Sequence, residues 1–261
     1  MDNGEIKFNK YKIRGADYHY KQINKKNIFR FNAYVYARYL NHINLIKKYL
    51  KTLNFPKDTK LRILDVGCGD GVLLYLISKT IKEYNFEYYG VDLSEEALSI
   101  AAKKIPDGKF IVSEVYNIKL DSEFFDIIIS SDVIEHVNHP EKMLEEIHRL
   151  SKNNALIIIG TPIRYTETPQ DSMHYREYYP QEFKNMAAKY FSVIELEKTH
   201  DLLYTLAYQK ITKCFWVKLP IYRYIINIMS CLGLNPFLYN NKQYKNQLFS
   251  YMCCVCVKNS K

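Results

Sequence analysis

Seven stretches of the chain carry the apolar runs or near-runs that a sheet strand needs: residues 61–66, 87–93, 109–112, 125–130, 155–162, 192–197 and 248–257. Residues 125–130, Phe-Asp-Ile-Ile-Ile-Ser, fit a strand buried on both faces. Between the strands the period changes. Phe31, Tyr34, Val35, Arg38, Tyr39, His42, Leu45, Ile46 and Tyr49 recur at helical spacing and predict one helix over 31–50 with an aromatic and apolar stripe. Pro140 opens a second helix whose Met143, Leu144, Ile147 and Leu150 would cover a sheet. Ser94 caps a third, with Glu95 and Glu96 in the first turn, where the helix dipole favours anions. The pattern is that of an α/β fold with a mostly parallel sheet.

The first strand runs into Leu64-Asp65-Val66-Gly67-Cys68-Gly69-Asp70-Gly71. A glycine-spaced turn between a strand and a helix cradles a nucleotide-type cofactor at the carboxyl end of the strand. The spacing is G-x-G-x-G: the dinucleotide fingerprint would need a glycine at 72, which is Val72. Asp65, just ahead of the turn, calls for a cation. Asp92 ends the second strand where α/β nucleotide folds place the carboxylate that accepts ribose hydroxyls.

These residues resemble motif I of the class I S-adenosylmethionine-dependent methyltransferases. Asp-Val-Ile-Glu-His-Val at 132–137, the helix that follows it and Ala-Leu-Ile-Ile-Ile-Gly-Thr-Pro at 155–162 resemble the broad group that includes ubiquinone-biosynthesis enzymes and many sugar and polysaccharide methyltransferases. The resemblance covers roughly residues 60–200. It implies a Rossmann-like sheet of seven strands, the last antiparallel, with helices on both faces. It also implies S-adenosylmethionine as cofactor, held by Asp65, Gly67, Cys68, Gly69, Asp92, Leu93, Glu114, Val115 and Ser131, with Glu114 and Val115 reading the adenine.

Methyl transfer is an in-line displacement at a carbon already activated by the sulfonium, so the enzyme aligns the acceptor and removes its proton. Either a histidine takes that proton, or a divalent metal lowers the acceptor's pKa. Asp132, Glu135 and His136 follow the fourth strand, and His174 lies on the loop after the fifth. They resemble the acid-x-x-Glu-His plus distant His of the small-RNA terminal 2′-O-methyltransferases, which would bind Mg²⁺ or Mn²⁺ through Asp132, Glu135, His136 and His174. Asp132 stands where that family has a longer Glu. In the metal-free reading His136 or His174 is the base. The loop wording from Thr161 to Phe183 resembles sugar methyltransferases more than quinone enzymes, and offers Arg164 and Arg176 to an anionic acceptor. Gly15-Ala16-Asp17-Tyr18-His19-Tyr20 resembles a short aromatic-His element near the start of some sugar methyltransferases, which implies that Tyr18 and His19 line the acceptor pocket.

The acceptor expected from these features is a sugar or other small polar, phosphorylated or otherwise anionic, precursor of a surface polysaccharide, methylated on oxygen. The rival is metal-dependent RNA terminal 2′-O-methylation, and the rival outside enzymology is a cofactor-binding scaffold without turnover.

With 261 residues, 48% hydrophobic, the chain suffices for one domain with additions at both ends. The expected division is a basic helical extension or lid at 1–58, a cofactor-binding core at 59–200, and a helical insertion plus the final strand at 201–261. Residues 1–60 hold 14 Lys and Arg against four acids, within a net charge of +9. That favours an anionic small molecule and, less, a nucleic acid. The polar start at Asp2, Asn3 and Glu5 reads as no signal peptide, and no apolar run is long enough for a membrane span. Of the six cysteines only Cys253 and Cys256 stand at C-x-x-C spacing, inside an apolar strand-like tail, which argues against zinc and for buried thiols in a reducing, cytoplasmic compartment. The aromatic and aliphatic insertion around Leu202, Phe215, Trp216, Ile225 and Leu232 is expected to form two short helices, usable for capping the acceptor pocket, for a homodimer or for peripheral membrane contact.

Overall fold

A computed structural model describes residues 10–169, 171–210, 212–214, 217–238 and 248–259. Phe215, Trp216 and the Cys214 side chain lie outside this description. Short helices α1 (Lys10–Arg14) and α2 (Tyr18–Ile23) precede the long α3 (Ala33–Thr52). Then come β1 (Lys60–Val66), α4 (Val72–Thr80), β2 (Asn85–Asp92), α5 (Glu95–Lys104), β3 (Lys109–Val112) and β4 (Phe125–Ser131). A 3-10 turn, Ile134–His136, leads to α6 (Pro140–Leu150), β5 (Ser151–Pro162), α7 (Pro180–Ala187) and β6 (Ser192–Asp201). The insertion comprises α8 (Leu202–Gln209), a small hairpin of β7 (Thr212–Cys214) and β8 (Val217–Leu219), and α9 (Ile221–Cys231), before β9 (Phe249–Val257).

Seven strands form one sheet in the order β3-β2-β1-β4-β5-β9-β6. The pairings from β3 to β5 are parallel, and β9 is antiparallel to both β5 and β6. The fold class expected from the sequence is therefore present, with the helical N-terminal part. The insertion holds the two expected helices and a hairpin that the sequence pattern did not announce.

Successive strand residues point to opposite faces, and the continuous apolar strands use this to fill two cores. Leu64, Ile128 and Ile157 face Met143, Leu144 and Ile147 of α6 and Phe183 of α7. Ile63, Ile127 and Ile158 face Ile43, Ile46 and Leu50 of α3 and Leu74 of α4. Each of these buried aliphatic side chains contributes ~1.5–3 kcal/mol relative to exposure, so the centre of the sheet is the rigid part of the molecule. The strand order reverses between β1 and β4, and the carboxyl ends of those two strands diverge there into a crevice, the place where open α/β sheets bind ligands.

Candidate active site

The turn after β1 is shaped by its neighbours. The N–H groups of Gly67 and Cys68 both donate to the Val91 carbonyl, at 2.8 and 3.0 Å, which ties the turn to β2. Gly67 has φ +77°, and a Cβ there would lie 2.3 Å from a Val133 methyl, so only glycine fits. Asp92 accepts the Gly69 N–H at 2.8 Å through Oδ2 and the Ser94 N–H at 2.9 Å through Oδ1, which fixes the carboxylate at the rim. Around this turn lies a cavity of about 330 Å³ whose walls include Asp65, Cys68, Asp92, Leu93, Val115 and Ser131. Asp65 is buried in the wall, and among the described residues no donor reaches its carboxylate. Burial, and after it the charge of Asp92, push its pKa up to about 8.

A second cavity of about 530 Å³ adjoins the first, the two sharing His19, Tyr39, Asp132 and His136 as lining. It is built from α2, α3, the 3-10 turn and the loop after β5. Tyr175 and Arg176 donate their N–H groups to the Glu135 carbonyl, at 2.8 and 3.3 Å, and so strap that loop to the turn. His136 and His174 then face each other with ring centroids 4.8 Å apart. His136 Nδ1 lies 2.9 Å from the Met173 carbonyl and must donate to it, so in the neutral ring Nε2 carries the lone pair. His174 Nδ1 lies 2.7 Å from a Glu177 carboxylate oxygen, with the same consequence. Burial alone would lower the His174 pKa; the Glu177 hydrogen bond and the Glu135 charge hold it above its ordinary value. Glu135 is fully buried: Oε2 accepts from the Thr161 hydroxyl at 3.0 Å, and Oε1 has no hydrogen-bond partner among the described residues. Burial and nearby Asp132 push its pKa up to about 7. One donor atom each from Glu135, His136 and His174 lie within 4.8 Å of one another.

Asp132 is placed differently. It adopts a left-handed backbone with φ +58°, and its carboxylate pairs with the Arg38 guanidinium, which sits 4.8 Å from the Tyr34 ring centre and 5.1 Å from that of Tyr251. The Asp132 charge holds Arg38 strongly protonated against its burial. Over the glycine turn, α1 and α2 make a cover: buried Asp70 accepts the His19 N–H at 2.9 Å and the Tyr20 N–H at 3.3 Å. The Tyr11 hydroxyl sits where a Cβ on Gly69 would be, 3.1 Å from His19 Nδ1.

Residues 57–210 match the family model described as a methyltransferase domain. The chain belongs to that family. The proteins it resembles include a probable S-adenosylmethionine-dependent methyltransferase of Mycobacterium tuberculosis, 25% identical over 127 residues, covering 47% of this chain and 45% of that one, and the domain is of the S-adenosylmethionine-dependent methyltransferase class. The ubiquinone biosynthesis O-methyltransferase of Pelagibacter ubique is 29% identical over 164 residues, covering 53% of this chain and 65% of that protein. The demethylmenaquinone methyltransferase of Thermotoga maritima is 28% identical over 123 residues, covering 42% of this chain and 53% of that one. The chain thus spans between about half and two thirds of the length of these relatives. A SAM-dependent methyltransferase from Archaeoglobus fulgidus shares the fold, with a TM-score of 0.52 at 18% identity over 83% of this chain and 94% of that one.

In this methyltransferase the first cavity gathers Asp65, Gly67, Cys68, Asp92, Leu93, Val115 and Ser131, while Gly69 sits behind them on Asp92. Glu114 is exposed and does not line the cavity; Ser113 and Val115 on either side of it do. Tyr18, His19, His136, His174, Glu135 and Asp132 all line the second cavity, but Asp132 stands outside the cluster of potential metal ligands because Arg38 holds it. Arg164 and Arg176 do not reach that cavity. Arg164 donates to the Thr166 and Glu167 carbonyls and covers the Tyr179 ring, and Arg176 pairs with Glu182. Sequence reasoning did not single out Tyr11, Tyr34, Tyr39 or Asp70 at the site. Arg38 carried a signal that went unread, a charge inside the apolar stripe of α3.

Proposed function

We propose that this chain transfers the methyl group of S-adenosylmethionine to a hydroxyl oxygen of a small polar acceptor of the sugar type, such as a surface-polysaccharide precursor, seated in the second cavity. The observation that carries this reading is the pairing of an Asp65–Asp92 cleft with a separate cavity lined by hydroxyls, carboxylates and imidazoles, where a polyol finds partners and an apolar ring does not. Asp65, buried without a donor, fits the methionine ammonium, and Asp92, whose oxygens each retain a lone pair, fits the ribose hydroxyls. The cofactor supplies a methyl carbon activated by the adjoining sulfonium. The acceptor oxygen bonds to that carbon as the carbon–sulfur bond breaks, the electron pair stays on sulfur, and the acceptor proton passes to a histidine. His136 is placed for this, since it lines both cavities and its Nδ1–H is tied to Met173. The acceptor need not be anionic, because Arg164 and Arg176 are engaged elsewhere.

The partnerless Glu135 Oε1 favours a second version of the same step, in which Glu135, His136 and His174 would hold a divalent ion and the ion would supply a lowered pKa for the acceptor hydroxyl. The Nδ1–H groups held by Met173 and Glu177 are the outer hydrogen bonds that ligating imidazoles usually have. Two nitrogens and one carboxylate suit Mn²⁺ better than Mg²⁺. Two experiments test the reading. Incubation with methyl-labelled cofactor and separate pools of nucleotide sugars, phenolic quinone precursors and short RNAs should place the label in the sugars; label in phenols or RNA would overturn the acceptor class. Elemental analysis and cofactor calorimetry with and without EDTA decide the metal, independently of turnover.

A further inference from the structure

Helix α9 is built inside out. Its buried side carries Asn227 and Ser230 beside Ile226, whereas Ile221, Tyr222, Ile225, Ile228 and Met229 are exposed, with Leu232 just past the helix end. Those exposed positions repeat at helical spacing and form one apolar stripe facing solvent. Asn227 explains why the polar side is inward. Its amide donates to the Ile28 and Phe31 carbonyls at 3.1 and 2.7 Å, and its oxygen accepts from the Ala33 N–H at 3.1 Å and the Tyr208 hydroxyl at 2.8 Å. The helix is therefore locked in this rotation by four hydrogen bonds, three of them fully buried. A contiguous apolar stripe held outward in this way marks an interaction surface.

The charge around it names the partner. The segment 25–31 runs alongside α9: the Lys25 carbonyl meets Cys231, and the Phe29 ring packs on Tyr224 at 5.6 Å. Lys25, Lys26 and Arg30 on that segment are exposed, as is Phe29 at 72%. A second copy of this face would bring the same cations together, whereas an anionic lipid surface accepts both the apolar stripe and its basic border. Among the described residues no helix is long and apolar enough to cross a membrane, so contact of this kind lies in the interface plane. We infer that the outer face of α9, bordered by Lys25, Lys26 and Arg30, docks this enzyme on membranes rich in anionic lipid. Thr205 and Gln209 of α8, which packs against α9, line the second cavity, so docking sets that cavity close to the membrane surface.

The test uses the full chain and sedimentation with vesicles of phosphatidylcholine, alone or with about one third phosphatidylglycerol. Binding is expected to the mixed vesicles and to fall steeply with salt. Ile225→Asp with Ile228→Asp, both at exposed sites, is expected to lower partitioning by roughly tenfold or more, as is Lys26→Glu with Arg30→Glu. Cofactor affinity measured by calorimetry should be unchanged in all variants, which separates loss of docking from loss of fold. No sedimentation with the mixed vesicles would overturn the inference. So would a dimer that the Ile225→Asp, Ile228→Asp variant dissociates, since the stripe would then belong to a second copy. Neither result depends on which acceptor is methylated.

Discussion

The two adjoining cavities were built by different means. The cofactor cleft is made by consecutive residues at the ends of neighbouring strands, where Asp65, Gly67 and Asp92 owe their places to the sheet itself. The acceptor cavity draws on α2, α3, the 3-10 turn and a long loop, and its side chains are aimed by hydrogen bonds between segments far apart in sequence. If the first cavity holds the cofactor and the second the acceptor, as proposed, the rigid sheet fixes the chemistry common to the family, while specificity rests on a polar network that single substitutions can undo. The sharpest contrast comes from His136→Ala. It should lower kcat by about 10²–10⁴-fold, the worth of a positioned base, while cofactor affinity stays within about threefold. Equal loss of both would mean that His136 supports the cleft rather than the transfer.

The same contrast explains what could be read from the chain. The strands, the glycine turn, Asp92 and the helix opened by Pro140 follow from short-range pattern, because buried parallel strands must be apolar and a positive φ beside a packed Val133 admits only glycine. The Glu135–His136 pair and His174 were legible only as a motif, and the loop that joins them is set by the N–H groups of Tyr175 and Arg176 on a carbonyl 40 residues or more away. Arg164 and Arg176 looked available because a sequence does not show that Tyr179 and Glu182 would take them. Asp132 reads as a ligand by spacing, yet its left-handed backbone turns it to Arg38, from a helix some ninety residues earlier. The apolar tail did announce that Cys253, Cys254 and Cys256 lie buried in β9, where they are free thiols.

That ion pair gives the next break point. Arg38→Ala removes the guanidinium from a half-buried Asp132 carboxylate that keeps the Ser131 hydroxyl, and should destabilise the fold by about 2 kcal/mol at neutral pH. Adding Asp132→Asn should restore most of the loss, because the unpaired charge is then gone. Urea unfolding of the two variants reads both numbers. A cost under about 0.5 kcal/mol for Arg38→Ala would put the pair with screened surface bridges.

On the cleft side the effect is smaller. Asp92→Ala removes the acceptor for the ribose hydroxyls and also frees the Gly69 and Ser94 amides, so cofactor binding should weaken by ~1–3 kcal/mol. Calorimetry checks it, and unchanged affinity would remove Asp92 from the cofactor site.

Asp65 yields the finest test, because it concerns a proton. Its pKa in the fold is raised to about 8 from an ordinary 3.8, so the folded chain holds a proton that the unfolded chain has released over that range. Without cofactor, the contribution of this group therefore makes stability fall as pH rises from about 4 to about 8. A cation placed on Asp65 reverses the preference, since the carboxylate is then the better partner. Cofactor binding at pH 7 should release close to one proton, seen as a binding enthalpy that depends on the ionisation enthalpy of the buffer. Asp65→Asn should abolish that dependence. If the unchanged enzyme binds its cofactor with no proton released, Asp65 is already ionised before the cofactor arrives, and the cleft would have to hold a second cation that meets it.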